Sequence, residues 1–355
     1  MRSVEEILKT AVEQGVTDVF IVAGAPVAYK LHGKITPQDD EMILPDLAEE
    51  LVRHIYELAK RDVTAVLKSG DDDFAFSLPG LSRFRANIYK QRGSLASVIR
   101  VISFGIPDYK TLGVPDRVIT SGDKSSGLVL VTGPAGSGKS TTLACMIDHI
   151  NKTRNGHIIT LEDPIEYLHR NNQSIISQRE VSLDTSSYVS ALRACLRQAP
   201  DVILVGEMRD FDTIQTVMTA AETGHLVIST LHTVGAADTV DRIIDIFPPS
   251  QQQQVRVQLS MLLQTVISQQ LIPTIDGGLV PAFELMNNNT AIRTMIRESK
   301  VHQIDSAIAS GAAEGMIAMD ANLLRLVQEG RITKESALHY ASNQELMTRR
   351  LGAVK

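Results

Sequence analysis

Val131-Thr132-Gly133-Pro134-Ala135-Gly136-Ser137-Gly138-Lys139-Ser140 contains G-x-x-x-x-G-K-S, running from Gly133 to Ser140, the phosphate-binding loop pattern. Before it, Leu128-Val129-Leu130-Val131 is a short, wholly apolar, β-branched run, as expected of a buried parallel strand. After it, Thr141-Thr142-Leu143-Ala144-Cys145-Met146-Ile147 places apolar residues at helical spacing. Strand, glycine loop and helix N-terminus therefore come in the order the motif needs. Glycines let the backbone N–H groups turn inward around a triphosphate, and the helix dipole favours the negative charge. In this reading Gly133, Pro134, Ala135, Gly136, Ser137 and Gly138 form the cradle, which continues into Thr141. Lys139 reaches the β- and γ-phosphates, and the Ser140 hydroxyl completes a Mg²⁺ shell. An accidental glycine-rich turn before a helix does not explain the lysine, the serine and both flanks together. A bound nucleoside triphosphate is the expectation.

With 355 residues the chain has room for two domains and a substantial core. Aromatic residues make up only 4% and Trp is absent, so a base-stacking surface is poorly supplied. The net charge of −6 also weighs against non-specific nucleic-acid binding, and no nucleic-acid partner is expected. No apolar stretch approaches the length of a membrane span and the N-terminus lacks a signal-peptide pattern, which points to the cytoplasm. The two cysteines, Cys145 and Cys195, lie far apart within helical patterns and read as buried small hydrophobes.

Along the chain, Ser3-Val4-Glu5-Glu6 is a capping box opening a helix to about Gln14. Asp18–Val22 and Tyr29–His32 read as strands, with Gly33-Lys34 as a turn, and Asp46–Ala59 reads as a helix. From Asp73 the period changes to two. Residues 73–77, 82–90 and 95–102 predict three antiparallel strands, making residues 1–103 a small α+β domain. The Gly-, Pro- and Ser-rich stretch 104–126 predicts a linker together with the entry to the second domain. From 127 onward, strands at 128–131, 158–161, 202–205 and 226–230 alternate with helices at 141–151, 186–197 and 211–223, the signature of a parallel sheet. Pro248-Pro249-Ser250 precedes a helix expected to reach about Gln270, Asp276-Gly277-Gly278 predicts a hairpin turn between short strands, and residues 286–355 predict a helical subdomain.

Three stretches downstream of the loop bear on its chemistry. Val202-Ile203-Leu204-Val205-Gly206-Glu207 is an apolar strand ending in an acid that can orient an attacking water and help hold Mg²⁺. Glu162-Asp163-Pro164-Ile165-Glu166 follows another strand and reads equally as a solvated acidic loop or as part of a site at the sheet's C-terminal edge. His225 and His232 flank a third strand; spacing alone favours packing or surface roles over sensing a γ-phosphate.

Together these stretches resemble the secretion and pilus ATPases, most closely the type IV pilus retraction ATPases, over essentially the whole chain. Thr17–Gly24 is similar to that family's opening strand, and Glu162–Glu166 to its Asp box, whose last glutamate is the catalytic one, here Glu166. Gly206–Asp210 resembles its Walker B segment, with Glu207 as the functional acid. Thr223-Gly224-His225 and Leu231-His232-Thr233 resemble its His box and lift both histidines above a packing role. The resemblance implies an α/β chain with a PAS-like N-terminal domain and a RecA-like P-loop ATPase domain carrying a helical C-terminal subdomain. It further implies ATP and Mg²⁺, a homohexameric ring with ATP at the domain junction, and pilus disassembly. The partner would be an inner-membrane platform protein, holding the motor peripherally at the membrane's inner face. Ala291-Ile292-Arg293-Thr294-Met295-Ile296-Arg297-Glu298 keeps both arginines of the family's C-terminal motif but has Thr294 and Met295 where the family has Asn and Leu. An accessory retraction ATPase, another secretion ATPase, a RecA-like translocase and a nucleotide switch are the competing readings.

Arg83 and Arg85 share one face of a strand, with Phe84 on the other, and Arg100 lies on the next strand. The bland reading is a solvated basic face. The resemblance implies instead that arginines of the N-terminal domain complete the nucleotide site, with Arg85 and Arg100 as fingers and Arg83 behind them.

Overall fold

The structure, a computed structural model, describes residues 3–31, 34–102 and 105–352. His32, Gly33, Ser103 and Phe104, to which the sequence assigned a strand end, a turn and the domain boundary, lie outside the described residues. The chain separates into two compact units: residues up to Gly105 together with Glu166–Leu168, and the remainder from Ile106 onward.

The first unit contains α1 (Val4–Glu13), β1 (Asp18–Ile21), β2 (Ala28–Leu31), β3 (Lys34–Pro37), α2 (Pro45–Leu58), α3 (Thr64–Ser69), β4 (Asp71–Leu78), β5 (Ser82–Gln91) and β6 (Ser94–Ile102). The capping box is formed: Glu6 N donates to Ser3 Oγ (3.2 Å) and Ser3 N to Glu6 Oε2 (3.0 Å). The strands make one antiparallel sheet in the order β3-β2-β1-β6-β5-β4. Ile7 and Leu8 of α1 and Val52 and Ile55 of α2 join the inward residues Val19, Phe84, Ile88 and Ile99 of the sheet in one core. Strand β3 and helix α3 go beyond the sequence reading. The first is exposed throughout and so shows no alternation, and the second is too short to show a period.

The second unit opens with α4 (Asp116–Ile119) and a 3₁₀ turn, then β7 (Gly127–Thr132), α5 (Lys139–Thr153), β8 (His157–Glu162), β9 (Ile175–Glu180), α6 (Tyr188–Cys195), β10 (Val202–Val205), α7 (Phe211–Glu222), β11 (Leu226–Leu231), α8 (Ala236–Asp245), α9 (Pro249–Leu262), β12 (Leu263–Pro273) and β13 (Leu279–Asn287). Short helices follow: α10 (Thr290–Arg297), α11 (Ile304–Ser310), α12 (Met319–Gln328), α13 (Lys334–Tyr340) and α14 (Gln344–Gly352). The sheet order is β13-β12-β7-β11-β10-β8-β9, parallel except for the β12–β13 pair. One apolar core joins α6 to α11 to one face of the sheet, and a second joins α4 and α5 to the other. This is the doubly covered arrangement a parallel sheet requires.

Residues 106–126 group with the second unit: Val114, Val118 and Ile119 are buried with Met146, Ile147 and Ile150 of α5, an apolar triplet masked in the sequence by its Gly- and Pro-rich surroundings. One expectation needs correction. The helix expected to reach Gln270 stops at Leu262, and the chain passes directly into an eleven-residue strand. Leu259, Leu263 and Val266 fit a helical stripe, which explains the misreading. Thr265-Val266-Ile267 instead take the β-branched place between β7 and β13, and all three are buried.

That abrupt turn is tied by Asn288, whose Nδ2 donates to the carbonyls of Ser260 (3.0 Å) and Leu263 (2.6 Å) while its N–H donates to Gln264 O (2.9 Å). A helix end leaves carbonyls without partners, and Asn288 supplies them inside the protein. Asn288→Ala is expected to cost about 1–3 kcal/mol, the price of stranding buried acceptors. Thermal unfolding followed by circular dichroism checks this, and an unchanged melting temperature contradicts it.

Candidate active site

All six residues of β7 are buried, and the chain leaves it through Gly133 at φ +140°. A Cβ on Gly133 would lie 2.1 Å from the carbonyl oxygen of Gln269 on β12, so no side chain fits there. Gly136 and Gly138 also have positive φ, and a Cβ on Gly138 would lie 2.8 Å from Gln269 Nε2. The same amide accepts a hydrogen bond from Thr142 Oγ1 (2.7 Å), and both side chains are buried. Gln269 thus braces the loop and the first turn of α5 together. Sequence reading missed it because its strand had been read as helix.

Helix α5 begins at Lys139, directly after Gly138, with no side chain capping it. The Lys139 ammonium donates to the carbonyls of Gly133 and Pro134, each at 2.8 Å, and so lies across its own loop. Ser137 Oγ is buried without a hydrogen-bond partner. A cradle at a helix N-terminus whose Gly133 and Gly138 leave no room for a side chain, with a buried ammonium and an unsatisfied hydroxyl, fits an oligophosphate.

The parallel strands end at one edge. Thr132 pairs with Leu231 and Val205 with Ser229, so the segments after β10 and β11 emerge beside the loop. There Glu207 Oε2 lies 3.3 Å from His232 Nε2, and its Oε1 lies 2.6 Å from Arg209 Nε. The Arg209 contact was not anticipated, although Arg209 sits in the quoted Walker B segment. Burial raises the Tyr188 phenol pKa strongly, and the charges of Glu207, Asp163 and Glu162 add to the shift, which gathers three acids around one ring. Glu162 Oε1 is held by Thr160 Oγ1 (2.6 Å) and Gln178 Nε2 (3.2 Å). Among the described residues no group of three or more His, Cys, Asp or Glu could hold a metal.

The remaining candidates fall elsewhere. His225 precedes β11, with its ring Nδ1 3.0 Å from Ala220 O and 3.1 Å from Thr223 Oγ1. A six-residue strand separates it from His232, about 20 Å at ~3.3 Å per residue, so within this chain the two histidines lie at opposite ends of β11. Glu166 is exposed and groups with the first unit. In that unit Arg85 stands directly opposite Arg100 on β5 and β6. Each faces a carboxylate: Arg85 Nη2 lies 2.6 Å from Asp73 Oδ2, and Arg100 Nε 3.0 Å from Asp18 Oδ1.

Comparison with known proteins gives a consistent picture. The type IV pilus retraction ATPase PilT of Pseudomonas aeruginosa is 44% identical over 96% of this chain and 99% of its own length. A twitching motility protein of Neisseria gonorrhoeae is 42% identical over 98% of this chain and 92% of its own. A crystal structure of the pilus retraction motor PilT with bound ADP superposes with a TM-score of 0.90 at 46% identity, covering 98% of this chain and all of that one. The pattern of the type II/IV secretion system protein family matches residues 1–352, and the chain belongs to that family.

Proposed function

We propose that the chain is a Mg-ATP-hydrolysing motor of the type IV pilus retraction kind, working as a homohexamer. The observation that carries this reading is the tightly braced glycine loop with buried Lys139, set beside the Glu207–His232 pair at the same sheet edge. The whole-length likeness to pilus retraction proteins supports the assignment to retraction.

Gly133–Gly138 wrap the phosphates through backbone N–H groups. Lys139 exchanges the carbonyls of Gly133 and Pro134 for phosphate oxygens, and the Ser140 hydroxyl and Glu207 hold the metal. Mg²⁺, when bound there, would supply charge neutralisation to the phosphates. Glu166 and Glu207 align the attacking water, and His232, next to Glu207, registers the γ-phosphate. Arg85 and Arg100 trade Asp73 and Asp18 for charge developing on the transferred phosphoryl, which catalysis by positioning and charge stabilisation needs. His225, at the other end of β11, is assigned to the same family box as His232 through the resemblance alone. Arg293 and Arg297 are exposed on α10, whose Ile292 and Ile296 are buried, so both guanidinium groups are open to the machinery that transmits force. Thr294, in place of the family's Asn, donates its hydroxyl to Thr290 O (3.0 Å) within the helix.

No helix among the described residues is long and apolar enough to cross a membrane. The reading places the motor at the inner face of the cytoplasmic membrane, held there by an inner-membrane platform protein, as the resemblance to pilus retraction ATPases implies. Deleting the gene is expected to leave cells with abundant pili and no twitching; bald cells would assign the chain to pilus assembly.

Lys139→Ala is expected to abolish turnover and weaken ATP binding strongly, since it removes the loop's one cation. Glu207→Gln and Glu166→Gln should still bind ATP but fail to hydrolyse it. Nucleotide titration beside a phosphate-release assay separates the two classes, and near-normal hydrolysis by Lys139→Ala would end the reading. Arg85→Lys and Arg100→Lys keep charge but lose the planar fork, so turnover at saturating ATP should fall, by up to about a thousandfold. Wild-type turnover in both, with hexamers intact, returns these arginines to a solvated face.

A further inference from the structure

Outside the phosphate loop, a second set of buried polar groups grips the backbone near His232. Ser268 on β12 and Glu284 on β13 are register partners, so their side chains stand together on one face of the sheet. Both are buried. Gly235 N donates to Ser268 Oγ (2.9 Å), and Ala236 N, at the start of α8, donates to Glu284 Oε1 (2.8 Å). Gly235 takes φ +92°, and a Cβ there would sit 3.9 Å from Glu284 Oε1. From the helix side, Thr239 Oγ1 donates to Gly235 O (2.6 Å) and meets Thr233 Oγ1 at 2.8 Å. Residues 232–235 are therefore pinned between the end of β11 and this clasp, with His232 first among them.

We infer that Glu284, with Ser268 beside it, is a positioning residue for ATP hydrolysis: the two side chains fix Gly235 and Ala236, and so set where His232 stands against Glu207. This rests on the hydrolysis proposed above. The carboxyl group has a further property. Burial pushes the Glu284 pKa up to about 7, and the negative charges of Asp305 on α11 and Asp320 on α12 add to the rise. The N–H groups of Ala236 and Met319 oppose it. Asp305 is itself raised by burial and by the charges of Asp238 on α8 and Asp320. A carboxylate holds an N–H more strongly than a neutral carboxyl does, so the clasp tightens as the pH rises through neutrality.

The test uses the full-length protein. The kcat and KM for ATP are measured from about pH 6 to about pH 8.5, and amide hydrogen exchange is measured over residues 232–240. In Glu284→Ala, the Gly235 and Ala236 amides should exchange about tenfold faster or more, and kcat should fall about tenfold with KM within about twofold. Glu284→Gln retains an acceptor oxygen, so exchange and kcat should stay near wild type at neutral pH, while the rise of kcat through neutrality disappears. Ser268→Ala should loosen Gly235 and lower kcat even if Glu284→Ala does not fold. Unchanged exchange in the alanine variants, or raised exchange with unchanged kcat, overturns the inference, as does a persisting neutral-pH rise in Glu284→Gln. A wild-type protein that does not hydrolyse ATP overturns the function reading, and exchange alone then decides the clasp.

Discussion

The carbonyl of Gln269 lies where a side chain on Gly133 would begin, and much of the second unit depends on that contact. A phosphate loop needs its N–H groups turned inward, a conformation with no intrinsic support from a hydrophobic core. Here it is imposed from outside by β12, which runs beside β7 and continues past the point where β7 ends. Gln269 closes the arrangement with its side chain, engaging Thr142 one turn into α5. Strand, loop and helix are thus set by a neighbouring strand, and the glycines permit a shape that β12 enforces.

The parallel sheet was legible in the sequence because its strands are short, wholly apolar runs separated by helical periods. Glu207 was legible because it follows such a run, and the loop because its spacing follows directly from phosphate geometry. The first unit was readable wherever one face is buried, as in β5, where Phe84 and Ile88 alternate with Arg85 and Tyr89. Where neither face shows a pattern, as in β3, only the tertiary pairing with β2 defines the strand.

The misreadings have physical causes as well. A buried strand entered directly from a helix inherits the helix's apparent stripe, which hid β12 and with it Gln269, Ser268 and the support they give. His225 and His232 flank one strand, and in a parallel sheet it is the C-terminal end, that of His232, that faces the loop. The arginines illustrate a further limit. Strand alternation put Arg85 and Arg100 on one face, but it carried no sign of Asp73 and Asp18, which come from other strands and neutralise them in the structure.

Ser268 and Gln269 are adjacent in sequence and, as neighbours on a strand, point to opposite faces of the sheet. One contacts the segment after β11 and the other the phosphate loop. A one-residue slip of β12 would reverse both and leave each loop facing the wrong side chain. The nine-residue ladder with β13 guards against that slip, and its turn at Thr274–Gly278 fixes the ladder's phase. Insertions and deletions should therefore be far rarer within this hairpin than on the exposed surface helices.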